Sequence, residues 1–128
     1  MSLQIDIPRC KLPSGKEVSI IDVIRFFFDL SETDITILLK ILWESPKTLE
    51  ELSREVSMSK ASVSRSIAKL HAIGFVSRRK ITGKNIRGRP RYVYEVDREK
   101  VVRELKENVE KCSSIAMSVI EALFGKRV

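Results

Sequence analysis

Apolar residues recur at helical spacing through most of this chain, and the period shortens to alternation in a few short places. Leu3, Ile5 and Ile7 alternate ahead of Pro8, which predicts a short strand or an extended arm. Pro13-Ser14-Gly15 is a turn signal between Lys11-Leu12 and Lys16-Val18, so a small N-terminal hairpin is expected. Ile20, Val23, Ile24, Phe27 and Phe28 then share one helical face and leave Asp22 and Arg25 outward. Ser19, with Asp22 three residues on, predicts a capping box at the start of that helix. Ser31 and Asp34 repeat the box and open a second helix to about Glu44. Ile35, Leu38, Leu39 and Leu42 form one stripe of it, and Ile37, Ile41 and Trp43 a second. A helix apolar on two sides needs two partners. Ser45-Pro46-Lys47 ends it, because proline disfavours helix in the residue before it.

The stretch from Thr48 to Gly74 organises the rest. Thr48 and Glu51 make a further capping box, and Leu49, Leu52 and Val56 fall on one face. Ser57-Met58 is a turn short enough to force two helices to cross steeply. Ser59 caps the next helix, in which Val63, Ile67 and Leu70 recur, and Gly74 stops it. With those three turned inward, the outer face carries Ala61, Arg65, Ala68 and Ala72, flanked by Ser62, Ser64 and Lys69. This is a helix-turn-helix whose second helix suits a DNA major groove. Arg65 would offer its fork to guanine, with serines on phosphates and alanine methyls against thymine methyls. The competing reading is a solvated face of an ordinary helical domain.

After Gly74, Phe75 to Ile81 reads as a strand, Thr82 to Pro90 as a loop and Arg91 to Val96 as a return strand. A second helix followed at once by a hairpin predicts a winged helix-turn-helix, mainly α with a small β wing. Charge sharpens this. The chain carries 24 Lys and Arg against 17 Asp and Glu, a formal net charge of +7. Ser77 to Arg91 holds Arg78, Arg79, Lys80, Lys84, Arg87, Arg89 and Arg91 and no acid, so one hairpin carries the whole excess. That points to a polyanionic partner. Arg87-Gly88-Arg89-Pro90-Arg91 also resembles the Gly-Arg-Pro core of AT-hook peptides. Its guanidiniums would contact phosphates or, as the alternative, enter a narrow A·T minor groove; the bland reading is that the run simply begins a strand.

The run Ser57 to Arg78, SMSKASVSRSIAKLHAIGFVSR, is similar to the helix-turn-helix core of the MarR and TrmB families and of small archaeal winged-helix regulators. Ser62-Val63-Ser64-Arg65 matches the opening of their second helix, and Leu70 to Val76 the run into the wing. Gly88 to Val96 resembles the return strand of the archaeal members, as Leu12 to Gly15 resembles the segment before their first helix. The resemblance spans roughly residues 12 to 97. It implies a dimeric, sequence-specific transcription regulator. No recognisable effector domain is present, so sugar sensing does not carry over with it.

The last segment predicts a long helix from an Asp97 cap to about Phe124. Val102, Leu105, Val109, Cys112, Ala116, Val119 and Leu123 are spaced 3, 4, 3, 4, 3, 4. That is a heptad seam, expected to form a coiled-coil dimerisation helix between two subunits. The competing reading is an amphipathic helix folded onto its own domain. In the dimer, two recognition helices about one DNA turn apart would read a pseudo-palindrome. Cys112 lies mid-seam, as a small core hydrophobe or, alternatively, a redox-switched disulfide. Cys10 and Cys112 lack metal-ligand spacing, His71 suits the surface or a phosphate, and neither metal nor cofactor is expected. No apolar run approaches a membrane span and no signal peptide is evident, so a cytoplasmic location is expected.

The expected organisation is an arm, hairpin and helix over 1–30, a winged helix-turn-helix over 31–96 and a dimerisation helix over 97–128. Expected DNA contacts are Ser59, Lys60, Ser62, Ser64, Arg65 and Lys69 on the recognition helix, and Arg79, Lys80, Lys84, Arg87, Arg89 and Arg91 on the wing. The expected partners are double-stranded DNA and a second copy; an effector is not legible. The alternative function is an architectural, chromosome-coating protein. Phosphate loops, nucleophile motifs and metal clusters are missing from the sequence, which argues against an enzyme.

Overall fold

A computed structural model describes residues 8–81 and 91–125. A hairpin comes first: β1 (Arg9–Lys11) pairs antiparallel with β2 (Glu17–Ser19), Cys10 opposite Val18. Gly15 turns it at φ +92°, where a side chain would be strained. The expected arm through Leu3, Ile5 and Ile7 lies outside the described residues.

Four helices follow before the wing. They are α1 (Ile20–Phe28), α2 (Glu32–Glu44), α3 (Leu49–Val56) and α4 (Lys60–Ala72). The capping boxes of α2 and α3 form on both sides. Asp34 N donates to Ser31 Oγ at 3.1 Å and Ser31 N to Asp34 Oδ2 at 2.9 Å. Glu51 N and Thr48 N make the equivalent pair at 3.1 and 3.0 Å. The box expected on α1 does not form. Ser19 Oγ accepts from Ile21 N, and Asp22 instead pairs with Arg25 at 3.2 Å. The Asp22 carboxylate gains a full opposite charge by turning along the helix, which it could not have at the cap.

The core sits where α2, α3 and α4 cross. Ile37, Ile41, Leu52, Val63 and Leu70 are its fully buried side chains, joined by Ile35, Leu38, Ile67, Phe75 and Val76. Both stripes of α2 find partners. Ile24 and Phe28 of α1 pack against the core, and the Phe28 ring meets Phe75 edge-on at 6.0 Å. Leu39 and Leu42 stay half-buried and Trp43 exposed.

Between α3 and α4 the chain turns through Ser57 in the left-handed conformation, φ 55°. Ser57 and Met58 amides both donate to the Ser53 carbonyl, so the turn satisfies its own backbone. At the far end of α4, Gly74 takes φ +86°, and Phe75 N donates to Leu70 O at 2.9 Å. That reversal drives Phe75 and Val76 into the core, so the wing strand β4 begins only at Ser77 and runs to Lys80.

The wing holds three strands where two were expected. β3 (Lys47–Thr48) pairs with β5 (Tyr92–Glu95), which pairs with β4, in the order β3-β5-β4 and antiparallel throughout. Lys47 faces Tyr94, and Arg78 faces the same Tyr94 from the other side. Thr48 therefore ends a strand and caps a helix at once. This clamps the wing root to the start of α3.

Finally α5 (Arg98–Phe124) runs 27 residues, about 40 Å at 1.5 Å per residue. Asp97 caps it, accepting from Lys100 N at 3.2 Å. Val101 is buried in the core and Leu105 packs against it. Beyond Cys112 the helix meets little of its own chain: Ile115, Met117, Val119, Ile120, Leu123 and Phe124 are all exposed.

Candidate nucleic-acid interface

The outer face of α4 is formed as its periodicity predicts. Ala61, Ser64, Arg65, Ala68 and Ala72 are exposed, while Ser62 and Lys69 are half-buried on its flanks. The helix start is held by side chains expected to touch DNA. Ser59 Oγ accepts from Ser62 N and donates to Ser62 Oγ, both at 3.1 Å. Ser62 Oγ also accepts from Arg65 Nη2 at 3.3 Å. The Arg65 guanidinium is thus drawn toward the N-terminal turn, where the helix dipole already favours an anion. Lys60 is exposed beside it.

Lys69 has a different neighbour. Its Nζ lies 3.2 Å from Asp34 Oδ2, and Asp34 is only 5% exposed. Ser66 donates to the other Asp34 oxygen at 2.6 Å. Burial pushes the Asp34 carboxyl up, but hydrogen bonds from Ser66, the Ser31 backbone, Lys69 and the Ser31 side chain outweigh it. The net effect is a value below the ordinary one. Sequence reasoning assigned Asp34 to the cap of α2 and left Ser66 without a role. The signal that was available is a polar residue falling between Val63, Ile67 and Leu70 on the inward side of α4.

On the wing, two cations of the basic hairpin meet acids, one on its own return strand and one on α3. Arg79 Nη2 lies 2.8 Å from Glu95 Oε1 across the ladder, and Arg91 Nη2 lies 3.7 Å from Glu50 Oε2 of α3. The Arg78 guanidinium stacks 4.5 Å above the Tyr92 ring, a contact the sequence did not signal. Exposed pairs of this kind contribute about 0–1 kcal/mol, so they orient the guanidiniums without withholding them from a phosphate. Lys80 is exposed at the end of β4. Lys84, Arg87 and Arg89 lie outside the described residues.

The seam residues of α5 divide in two. Leu105 and Val109 line an apolar groove of about 580 Å³ with Ile20, Val23, Ile24 and Phe27 of α1. Cys112 is half-buried, while Val102, Ala116, Val119 and Leu123 are exposed. No metal-binding cluster occurs among the described residues, and none of their helices is long and apolar enough to cross a membrane.

Three helices around α2, a left-handed turn at Ser57 into an exposed arginine-bearing helix, and a three-stranded wing define a winged helix-turn-helix protein. The family described as sugar-specific transcriptional regulator TrmB matches residues 24–99, and the chain belongs to it. It is a transcriptional regulator built on the winged-helix DNA-binding fold. Its structure is similar to that of a possible transcriptional regulator from Methanosarcina mazei Go1, with TM-score 0.77 and 18% identity over 93% of this chain and 99% of that one. It is also similar to a protein from the thermoacidophilic archaeon Sulfolobus tokodaii, with TM-score 0.60 and 30% identity over 75% and 93%. MarR aligns at TM-score 0.51 and 20% identity over 81% and 80%. The first and third of these likenesses concern the fold alone. No curated protein matches the chain.

Proposed function

We propose that the chain is a homodimeric regulator that binds double-stranded DNA by sequence, with α4 in the major groove and the wing on the adjacent backbone or minor groove. The observation that carries this reading is the face of α4: alanines and short serines, exposed, with Arg65 at the centre. A slim helix approaches base edges closely, and one planar fork among methyl groups suits a guanine flanked by thymines. Lys60, Ser59, Ser62 and Ser64 place the helix start against phosphate. Arg79, Lys80 and Arg91 continue the cationic track into the wing, and Lys84, Arg87 and Arg89 extend it in sequence. Residues 31–96 form the DNA-binding unit.

The second copy is called for by α5. Leu123 is 70% exposed and Phe124 81%, more apolar surface than an isolated helix end leaves to water without reason. Val102, Leu105, Val109, Cys112, Ala116, Val119 and Leu123 contribute to that interface, within a dimerisation segment over 97–128. The segment over 1–30 adds α1 beside it. Such a regulator acts in the cytoplasm, where the DNA is, by binding rather than catalysis.

Arg65→Ala tests the reading. On a duplex selected by the wild-type protein from a randomised pool it should lose about 1–3 kcal/mol, with affinity for random duplex unchanged. Equal losses on both would show that Arg65 reads no sequence. A wild-type protein that prefers no duplex, short of roughly 10³-fold discrimination, would be a coating protein instead.

A further inference from the structure

Asp34 and Ser66 are the two buried polar residues among the described residues, each 5% exposed, and they touch each other across the α2–α4 contact. Every other buried anchor of α4 (Val63, Ile67 and Leu70) is apolar. Apolar burial is non-directional, so the stripe turns α4 the right way round but sets its rotation about its own axis only coarsely. The Asp34 carboxylate supplies the missing direction. Oδ1 accepts from Ser66 at 2.6 Å, while Oδ2 accepts from Ser31 N at 2.9 Å and meets Lys69 Nζ at 3.2 Å. Ser66 and Lys69 are three residues apart on α4, so two points one turn apart are tied to one carboxylate. That carboxylate is itself fixed to the cap of α2.

We propose that Asp34 is the positioning residue for DNA recognition: through Ser66 and Lys69 it sets the rotation of α4 and so the aim of Arg65. Lys69 acts in this arrangement as a brace, not as a phosphate contact. The proposal rests on the DNA-reading role of α4 proposed above. The geometry makes rotation matter. A guanidinium at about 6 Å from the helix axis moves about 1 Å for each 10° of turn. The window for a bidentate hydrogen bond is only about half that wide. Ser66 is adjacent to Arg65, so the tie acts at the residue whose aim counts.

The test uses two probes: the tightest duplex the wild-type protein selects from a randomised pool, and a scrambled duplex of equal length. Ser66→Ala, Asp34→Asn and Lys69→Gln are titrated against both across a salt series, with melting temperatures measured alongside. Each variant is expected to lose about tenfold in the ratio of selected to scrambled affinity, part of the value of one bidentate base contact. Lys69→Gln is expected to keep the wild-type slope of log affinity against log salt. A slope shallower by about 0.9 would mean that Lys69 neutralises a phosphate, and would overturn the brace. An unchanged ratio in all three variants, with lower melting temperatures, would reduce the network to a fold contact. If Asp34→Asn does not fold, Ser66→Ala carries the test, since it removes one hydroxyl from a helix position that alanine suits. A wild type that selects no duplex refutes the DNA-reading role itself, and the positioning role with it. A wild type that selects, beside variants that keep its ratio, refutes the positioning role alone.

Discussion

If α5 joins two copies of this chain as proposed, replacing Val119 and Leu123 together by glutamate should separate them without disturbing either. Both side chains lie on the part of α5 that leaves the body, 48% and 70% exposed in a single chain. Fully burying a valine or leucine contributes about 1.5–3 kcal/mol. Scaled by the exposure each has left to lose, the pair contributes roughly 2–3 kcal/mol per chain and twice that per dimer. The two carboxylates would add the cost of leaving water unpaired. Every 1.4 kcal/mol is tenfold, so the dimer dissociation constant should rise by about 10³–10⁴ or more. Surface substitutions away from packed features change stability by about 0.5 kcal/mol or less, so the winged domain should melt where the wild type does. Sedimentation velocity across micromolar concentrations reads the mass, and a duplex with two half-sites reads the lost coupling. A variant with the mass distribution of the wild type would refute the argument, as would a wild type that stays monomeric at those concentrations.

Leu70→Ala removes a fully buried side chain from the back of α4 and should cost about 2–5 kcal/mol in a urea titration, with the upper end expected if the core does not close over the gap. A loss below 1 kcal/mol would mean that α4 is not packed as described. The acid limb of stability should carry the Asp34 network. The folded carboxyl sits below its ordinary value, so its contribution is complete above the unfolded pKa of about 3.9 and is lost as pH falls through the lower folded value. Glu51, lowered chiefly by the Thr48 backbone amide, and Glu44, lowered chiefly by its hydrogen bond from Lys40, act in the same direction. The stability gap between wild type and Asp34→Asn should therefore narrow from about pH 5 toward pH 2.5. A gap constant over that range would show that the charge of Asp34 does not contribute.

Local features of the chain were legible because they depend on neighbours in sequence. A serine or threonine with an acid three residues on built the caps of α2 and α3 as read, and periodicity named Val63, Ile67 and Leu70 as the buried face of α4. The same rule failed at Ser19, where Asp22 had Arg25 within reach as a competing partner. The two-residue strand β3 could not be read, since Lys47-Thr48 has no pattern of its own and is a strand only because Val93 and Tyr94 lie beside it.

Sequence alone determined the class of this protein: the turn between two capped helices, the basic hairpin and the long seamed tail are all written in short-range spacing and charge. Tertiary structure decided what each polar group meets. Asp34 reaches Ser66, 32 residues away, and Glu50 reaches Arg91 across the root of the wing. It also divided the tail, docking Val101 and Leu105 on the body and leaving the end from Ile115 to Phe124 exposed. An apolar stripe looks the same in sequence whether its own domain or another chain covers it, because burial depends on what folding brings near and periodicity does not record that.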